Sequence, residues 1–182
     1  MAVPKPFTPV KAVCGILASD EAAFRMAEEG MTRLLGSVDA RSPRLLFDRT
    51  DYYAPEMGEG LKREFVSFER LIEPERLADL KLAGNALEAE IRTRLASDRR
   101  PVNIDPGYLT KAALIMATAK DFSHRIPLAS GIYAHLEFLF TRTGIRRLDW
   151  TYPDYDQEGY RDFFIAVRRN YVAFLKGLEA GA

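Results

Sequence analysis

Between Asn103 and Arg125 the chain reads N-I-D-P-G-Y-L-T-K-A-A-L-I-M-A-T-A-K-D-F-S-H-R, and no other stretch gathers so many chemically able side chains around one apolar run. Asn103, Asp105, Tyr108 and Thr110 precede residues 112–119, and Lys120, Asp121, Ser123, His124 and Arg125 follow them. Histidine is the side chain best suited to exchange protons near neutral pH, and arginine can grip a phosphate or carboxylate with a two-pronged fork. K-D-F-S-H-R therefore suits general acid or base work on an anionic substrate, with His124 moving the proton and Lys120 and Arg125 holding the charge. A structural histidine at the start of a strand is the competing reading. Pro106-Gly107 favours a type II turn, with glycine at the positive-φ position. Asp105 before it then either orients the base or a cation, or ties down the turn through backbone hydrogen bonds.

Other clusters supply further candidates. In D-R-T-D-Y-Y-A-P-E-M-G, Asp48, Asp51 and Glu56 share a loop with Tyr52 and Tyr53. Carboxylate oxygens can hold a hard divalent cation, but this spacing matches no known cation loop, and loop packing through Asx-turns is the plainer account. No metal site is assigned. Lys62 and Arg63 follow, as anion ligands or as partners of those acids, although an exposed pair contributes only about 0–1 kcal/mol. W-T-Y-P-D-Y sets Trp150, Tyr152 and Tyr155 beside Asp154, either as walls for a planar ligand or as aromatics that lock a proline corner. The candidate set is thus His124, Asp105 and Asp51 for catalysis, with Lys120, Arg125, Lys62, Arg63, Tyr52, Tyr108, Trp150 and Tyr152 for ligand binding. His135 falls with Tyr133 and Glu137 on the polar face of an alternating strand and reads as solvated.

Absences narrow the chemistry. There is no phosphate loop, no G-x-G-x-x-G, no H-E-x-x-H and no G-x-S-x-G. Two histidines are too few for a multi-histidine metal site unless carboxylates complete it, and neither stands in an H-x-[ST] motif. The single cysteine, Cys14, excludes an internal disulfide and a cysteine metal cluster. A formal net charge of zero exerts no bulk pull toward nucleic acid or an anionic membrane. A nucleic-acid partner is therefore not expected, although a neutral total can hide a local basic patch. No apolar window reaches the roughly 18 residues of a membrane span. A cytoplasmic protein without a membrane partner is the expectation.

The elements that must position these residues are legible in part. At 182 residues the chain is read as one domain, with 1–10 as an extended, proline-stiffened lead-in. The mostly apolar run K-A-V-C-G-I-L-A-S, residues 11–19, predicts a central strand buried on both faces. Ser19 or Asp20 can cap a helix whose apolar stripe runs to Leu35, with Gly36 as its stop. A short strand within 42–48, a loop, and a strand over 62–72 follow, the last either buried on both faces or bulged at Phe65-Val66. Pro74 opens a helix striped by Leu77, Leu80, Gly84, Leu87, Ile91 and Leu95. Residues 102–105 predict a strand entering the turn, and 112–119 is open between strand and helix. Ile132 to Thr141 alternates as a half-buried strand interrupted at Leu139. A hairpin through T-R-T-G-I follows, then a last helix with Phe163, Phe164, Val167, Tyr171, Phe174, Leu175 and Leu178 on one face. The order predicts an α+β fold: a ferredoxin-like split βαβ core (β-α-β-β-α-β) extended by a β-hairpin and a C-terminal helix.

Taken together, T-D-Y-Y-x-x-E-M-G with L-K-R-x-F-x-S-F, N-I-D-P-G-Y-L-T, K-D-F-S-H-R-I with G-I-Y-A, and W-T-Y-P-D-Y resemble the uncharacterised bacterial domain-of-unknown-function family four-four-one-six, over about Pro9 to Tyr171. The resemblance implies a bacterial, single-domain, cytoplasmic protein and brings no established activity, cofactor or catalytic residue. A GTP-binding label carried by some members finds no phosphate loop here. The residues themselves favour an enzyme or ligand-binding protein with a pocket for a small anionic compound, phosphorylated or nucleotide-like. The alternative is a non-enzymatic module that uses its sheet to bind a protein or RNA. Cofactor and oligomeric state stay unassigned.

Overall fold

The structure is a computed structural model that describes residues 2–180. The run Val10–Ala18, apolar except for Lys11, forms β1 and is buried along its whole length. Asp20 accepts the N–H groups of Ala22 and Ala23 at 2.7 and 3.1 Å and so starts α1 (Glu21–Leu35). Gly36, at φ +90°, ends it with its N–H on the Thr32 carbonyl. β2 (Val38–Arg41) and β3 (Leu45–Leu46) both pair with β4 (Lys62–Ile72). Of the strand expected over 42–48 only Leu45–Leu46 forms, and β2 before it was not expected. Ser42 and Pro43 divide them: the Ser42 hydroxyl, rather than another strand residue, takes the Phe65 N–H at 2.8 Å.

A one-turn helix, α2 (Ala54–Met57), lies in the loop before β4. α3 (Leu77–Arg94) follows the turn at Pro74, and β5 (Val102–Leu109), β6 (Ala113–Thr118), β7 (Ile126–Ala129), β8 (Ile132–Phe140), β9 (Ile145–Arg147) and α4 (Glu158–Ala180) complete the chain. Residues 112–119 thus resolve as a strand. β7 was not expected; it folds back on β8 through Ser130 and Gly131, at φ 53° and 75°, the geometry of a tight two-residue hairpin. The fold is α+β, with one large antiparallel sheet and four α-helices among the described residues. The sheet has nine strands, in the order β2-β4-β1-β5-β6-β8-β7, with β3 added on β4 and β9 on β8. No helix among the described residues is long and apolar enough to cross a membrane.

Period-two alternation gives the sheet two distinct faces. Ala12, Cys14, Ile16, Val66, Phe68 and Ile104 meet Phe24, Met31, Leu80, Leu87 and Ile91 beneath α1 and α3. The other face carries Val13, Phe65, Leu109, Leu114, Met116 and Phe138, covered by Tyr160, Phe163, Phe164 and Val167 of α4. Phe174 and Leu178, expected on that apolar face, are each 55% exposed, although Tyr171 and Leu175 of the same helix stay buried. At one end of the same face Leu17, Met57 and Leu61 form a small separate cluster with Tyr53 and Phe47.

Candidate functional site

Pro106-Gly107 makes no turn: β5 runs straight through both residues, and Gly107 is not at positive φ. Each residue has a tertiary reason to be there instead. β5 pairs with β6 only at Gly107, Tyr108 and Leu109. Backbone N–H groups of alternate strand residues point the same way, so 104, 106 and 108 share a side, and at 106 proline has none to give. Upstream of it the strand edge is free of β6. There the Ile104 N–H donates to Glu88 Oε1 at 2.7 Å, and the Ile104 carbonyl accepts from Lys81 Nζ at 2.7 Å. Two α3 side chains thus replace the missing strand. Gly107 stands where the strands still meet; a Cβ there would press on Met116 Sδ and lie 2.6 Å from the Ile115 carbonyl.

The sheet consequently forks, and Asp105 sits in the fork, across from Gly15 of β1. Its carboxylate accepts from Lys81 Nζ at 2.9 Å and from Asn103 Nδ2 at 2.5 Å. Burial alone would raise its pKa, but Lys81 and then Arg63 hold it below the usual carboxylate value. Arg100 closes the network, 2.6 Å from Glu88 and 2.5 Å from Asn103 Oδ1. Lys81 and Glu88 carry a signal in the sequence: they fall between Leu77, Gly84 and Ile91 at spacings of four, three, four and three, on the buried stripe of α3.

The opposite wall comes from β8. Leu114 pairs with Phe138 and Ile115 with Leu136, which leaves Glu137 as the extra residue of a β-bulge. Glu137 is 0% exposed, on the same side as the buried His135 two residues before it, and Tyr152 covers both. Glu137 Oε1 accepts the Tyr152 N–H at 2.7 Å, and Oε2 lies 3.1 Å from His135 Nε2 without hydrogen-bond alignment. His135 Nδ1 accepts from Arg125 Nε at 3.1 Å, so the ring is the neutral tautomer with its proton on Nε2, toward Glu137. The expectation of a solvated His135 and Glu137 is thus reversed. The break in alternation at Leu139 is the trace this bulge leaves in the sequence.

Arg125 also donates to the Lys120 carbonyl at 2.8 Å and to the Tyr152 hydroxyl at 2.7 Å. His124 stacks on Trp150 with centroids 4.7 Å apart and planes 9° apart, and meets His135 edge-on at 4.9 Å. Its Nε2 is shielded from solvent and has no hydrogen-bond partner. Burial, then His135 and Arg125, push its pKa below the ordinary histidine value. Trp150 is fixed by its indole N–H on the Leu136 carbonyl at 2.8 Å. Lys120 Nζ lies 3.7 Å over the Tyr52 ring and 5.3 Å over that of Tyr53. The Tyr53 and Tyr152 phenols are both raised, first by burial, and both feel the Asp105 charge.

The structure therefore links Lys120, His124, Arg125, Tyr52, Trp150 and Tyr152 to one another, and Asp105 is near enough for its charge to reach Tyr53 and Tyr152. Arg63 lies beneath the fork, buried, with Nη1 2.8 Å from Asp154 Oδ2 and its guanidinium against the Phe47 and Tyr155 rings. Burial pushes the Asp154 carboxyl up and Arg63 pulls it back; the guanidinium keeps its charge. Three candidates stand apart. Asp51 is exposed, and its described hydrogen bond is through the backbone, to Ala54. Lys62 lies on the other face of β4 from Arg63, near Glu21. Tyr108 packs against the core beneath α1 and α3. Glu137, His135, Tyr53, Lys81, Glu88 and Arg100 join the site without having been candidates. Among the described residues no group of three or more His, Cys, Asp or Glu is placed to hold a metal ion. Two shallow surface hollows lie near the C-terminal end of α3, one at Arg92 and Ser97 and one whose lining includes Glu88 and Arg100 of the Asp105 network.

The family model described as Domain of unknown function (DUF4416) matches residues 8–171, and the chain belongs to that family. No curated protein and no solved structure matches it.

Proposed function

We propose that this protein is an enzyme or ligand-binding protein whose forked sheet takes a small anionic compound, phosphorylated or nucleotide-like. One observation carries the reading: among the described residues, the two cations at the mouth, Lys120 and Arg125, engage only neutral groups. Arg125 meets an imidazole, a carbonyl and a phenol, and Lys120 rests on a tyrosine ring. Cations held by neutral partners and aromatic faces are free to attract an anion. His124, with an unpartnered Nε2, is the group to exchange a proton with the ligand. Asp105, tied to Lys81, sets the charge at the base of the fork, and Tyr52, Trp150 and Tyr152 form its walls. Arg63, engaged by Asp154, supports the corner from below; Asp51, Lys62 and Tyr108 have no part in the reading. The segment β1-α1-β2-β4-α3-β5, whose strands lie antiparallel in the order β2-β4-β1-β5, supports a ferredoxin-like split βαβ unit within the larger sheet. A bacterial, cytoplasmic setting accompanies this reading.

A thermal-shift screen of nucleotides, sugar phosphates and divalent metals tests it, since a ligand at a hundred times its dissociation constant adds about 2.7 kcal/mol. A phosphorylated compound is expected to raise the midpoint in the wild type and not in a K120M/R125M variant; no shift from any compound sinks the reading. A second reading, a protein-interaction module, draws on Phe122, Ile126 and Leu128, which are 61%, 65% and 45% exposed at and beside the edge strand β7. A pull-down partner lost on Ile126→Asp, together with a blank ligand screen, favours it.

A further inference from the structure

Arg125 has no carboxylate within reach among the described residues; the nearest acid in its network, Glu137, lies on the far side of the His135 ring. We propose that His135 is a proton-operated latch on Arg125: the neutral ring holds the guanidinium in place for an anion, and the protonated ring lets it go. This rests on the anion-site reading above and concerns how that site is regulated. The contact from Arg125 Nε to His135 Nδ1 exists only while Nδ1 carries a lone pair. A proton arriving at Nδ1 sets N–H against N–H at 3.1 Å and places a second positive charge beside the guanidinium. The imidazolium is then satisfied by Glu137 at Nε2, and Arg125 is left with the Lys120 carbonyl and the Tyr152 hydroxyl.

The groups facing His135 set the balance. From β8 comes Glu137, which favours the added proton. From the loop before β7 come Arg125, which opposes it, and His124, edge-on at 4.9 Å. From the segment after β9 comes Tyr152, stacked on the ring at 5.3 Å, and from β6 the cross-strand neighbour is the uncharged Met116. Glu137 lies two residues from His135, so the strand's period of two sets a carboxylate at the ring nitrogen opposite Arg125.

The sign of the pH effect is diagnostic. A site that merely gathers cations binds an anion more tightly on acidification, as its histidines charge. A latch on the key arginine does the opposite. Sulfate is the probe, because its charge does not change between about pH 8 and pH 5, the window in which histidine titrates. Titration of the whole chain with sulfate, followed by ¹H–¹⁵N NMR, is expected to show binding about tenfold weaker at the lower pH, in keeping with one lost hydrogen bond to a charged group. The Arg125 Nε–H signal should be sharp at the higher pH and averaged at the lower. His135→Gln, whose amide oxygen accepts from Arg125 without titrating, should lose the tenfold difference between the two pH values, whatever its affinity. Equal or tighter binding on acidification overturns the latch, as does an Arg125 Nε–H signal already averaged at the higher pH. Sulfate bound at neither pH overturns the anion-site reading instead, and the Nε–H signal then decides the latch by itself. Both wild-type readouts stand even if His135→Gln does not fold.

Discussion

Asp105 and Glu88 share one lysine yet are shifted in opposite directions. Lys81 Nζ is 2.9 Å from Asp105 and 4.0 Å from Glu88, and their side chains are 21% and 10% exposed. For Glu88 burial outweighs Lys81 and Arg100, and its carboxyl is raised; for Asp105 the cations win, and it is lowered. The consequences for stability have opposite signs. The ionised Asp105 stabilises the fold above its unfolded value of about 3.9, and that contribution is lost as pH falls through its lower folded value. Glu88 takes its proton more readily in the folded state, so it adds stability as pH falls through its raised value. Asp105→Asn is therefore expected to be less stable than wild type at neutral pH, with the gap closing below about pH 3, in urea titrations across pH. A gap independent of pH would assign Asp105 a role in shape rather than charge. None of this could be read from N-I-D-P-G-Y, because the lysine that decides it lies 24 residues away on another element.

At the scale of elements, the fork depends on two adjacent residues used for unrelated reasons. Pro106 ends the pairing of β5 with β6 by lacking a donor, and Gly107 permits the last close contact. Gly107→Ala is expected to destabilise by about 1–3 kcal/mol, the usual range for overpacking, measured by urea unfolding. Gly30→Ala is the control. There the three atoms nearest the new Cβ all belong to the Leu87 side chain, Cδ2 at 2.2 Å, Cδ1 at 2.7 Å and Cγ at 3.0 Å, and a side chain can turn aside where the Ile115 carbonyl cannot. Equal losses in the two variants would argue that the fork is less tightly packed than its geometry implies. Helix ends and strand identity were legible: Asp20, Gly36 and Pro74 mark their elements, and the strand over 62–72 has the expected bounds. The turn at Pro106-Gly107 was misread because turn preference is a local statistic, and here both residues answer to neighbours across the sheet. The same holds for His135 and Glu137, whose alternation with Tyr133 reads as a solvated side although Tyr152, from a segment beyond β9, covers both.

At the scale of the whole molecule, α4 completes the protein by covering the face that β4, β5, β6 and β8 leave bare. Phe164→Ala, at a residue with no exposure, should cost about 3–5 kcal/mol. Phe174→Ala, on the same helix but 55% exposed, should stay within about 0.5 kcal/mol. Similar losses by chemical denaturation would mean that the far end of α4 is covered in solution. What the sequence determined by itself was the α+β class, the capped helices, most of the strands, and the short list from which the fork is built, since those follow from periodicity and from the chemistry of single side chains. Only the tertiary structure decided which of those side chains meet. His124 and Arg125 meet Trp150 and Tyr152 because the segments before β7 and after β9 fold onto β8, and the Asp105 charge reaches Tyr152 where the sheet opens at Pro106, whereas Lys62 and Tyr108 were carried to the other face by the same period of two. Facing in or out is set by register between strands far apart in the chain, and register is a property of the assembled sheet.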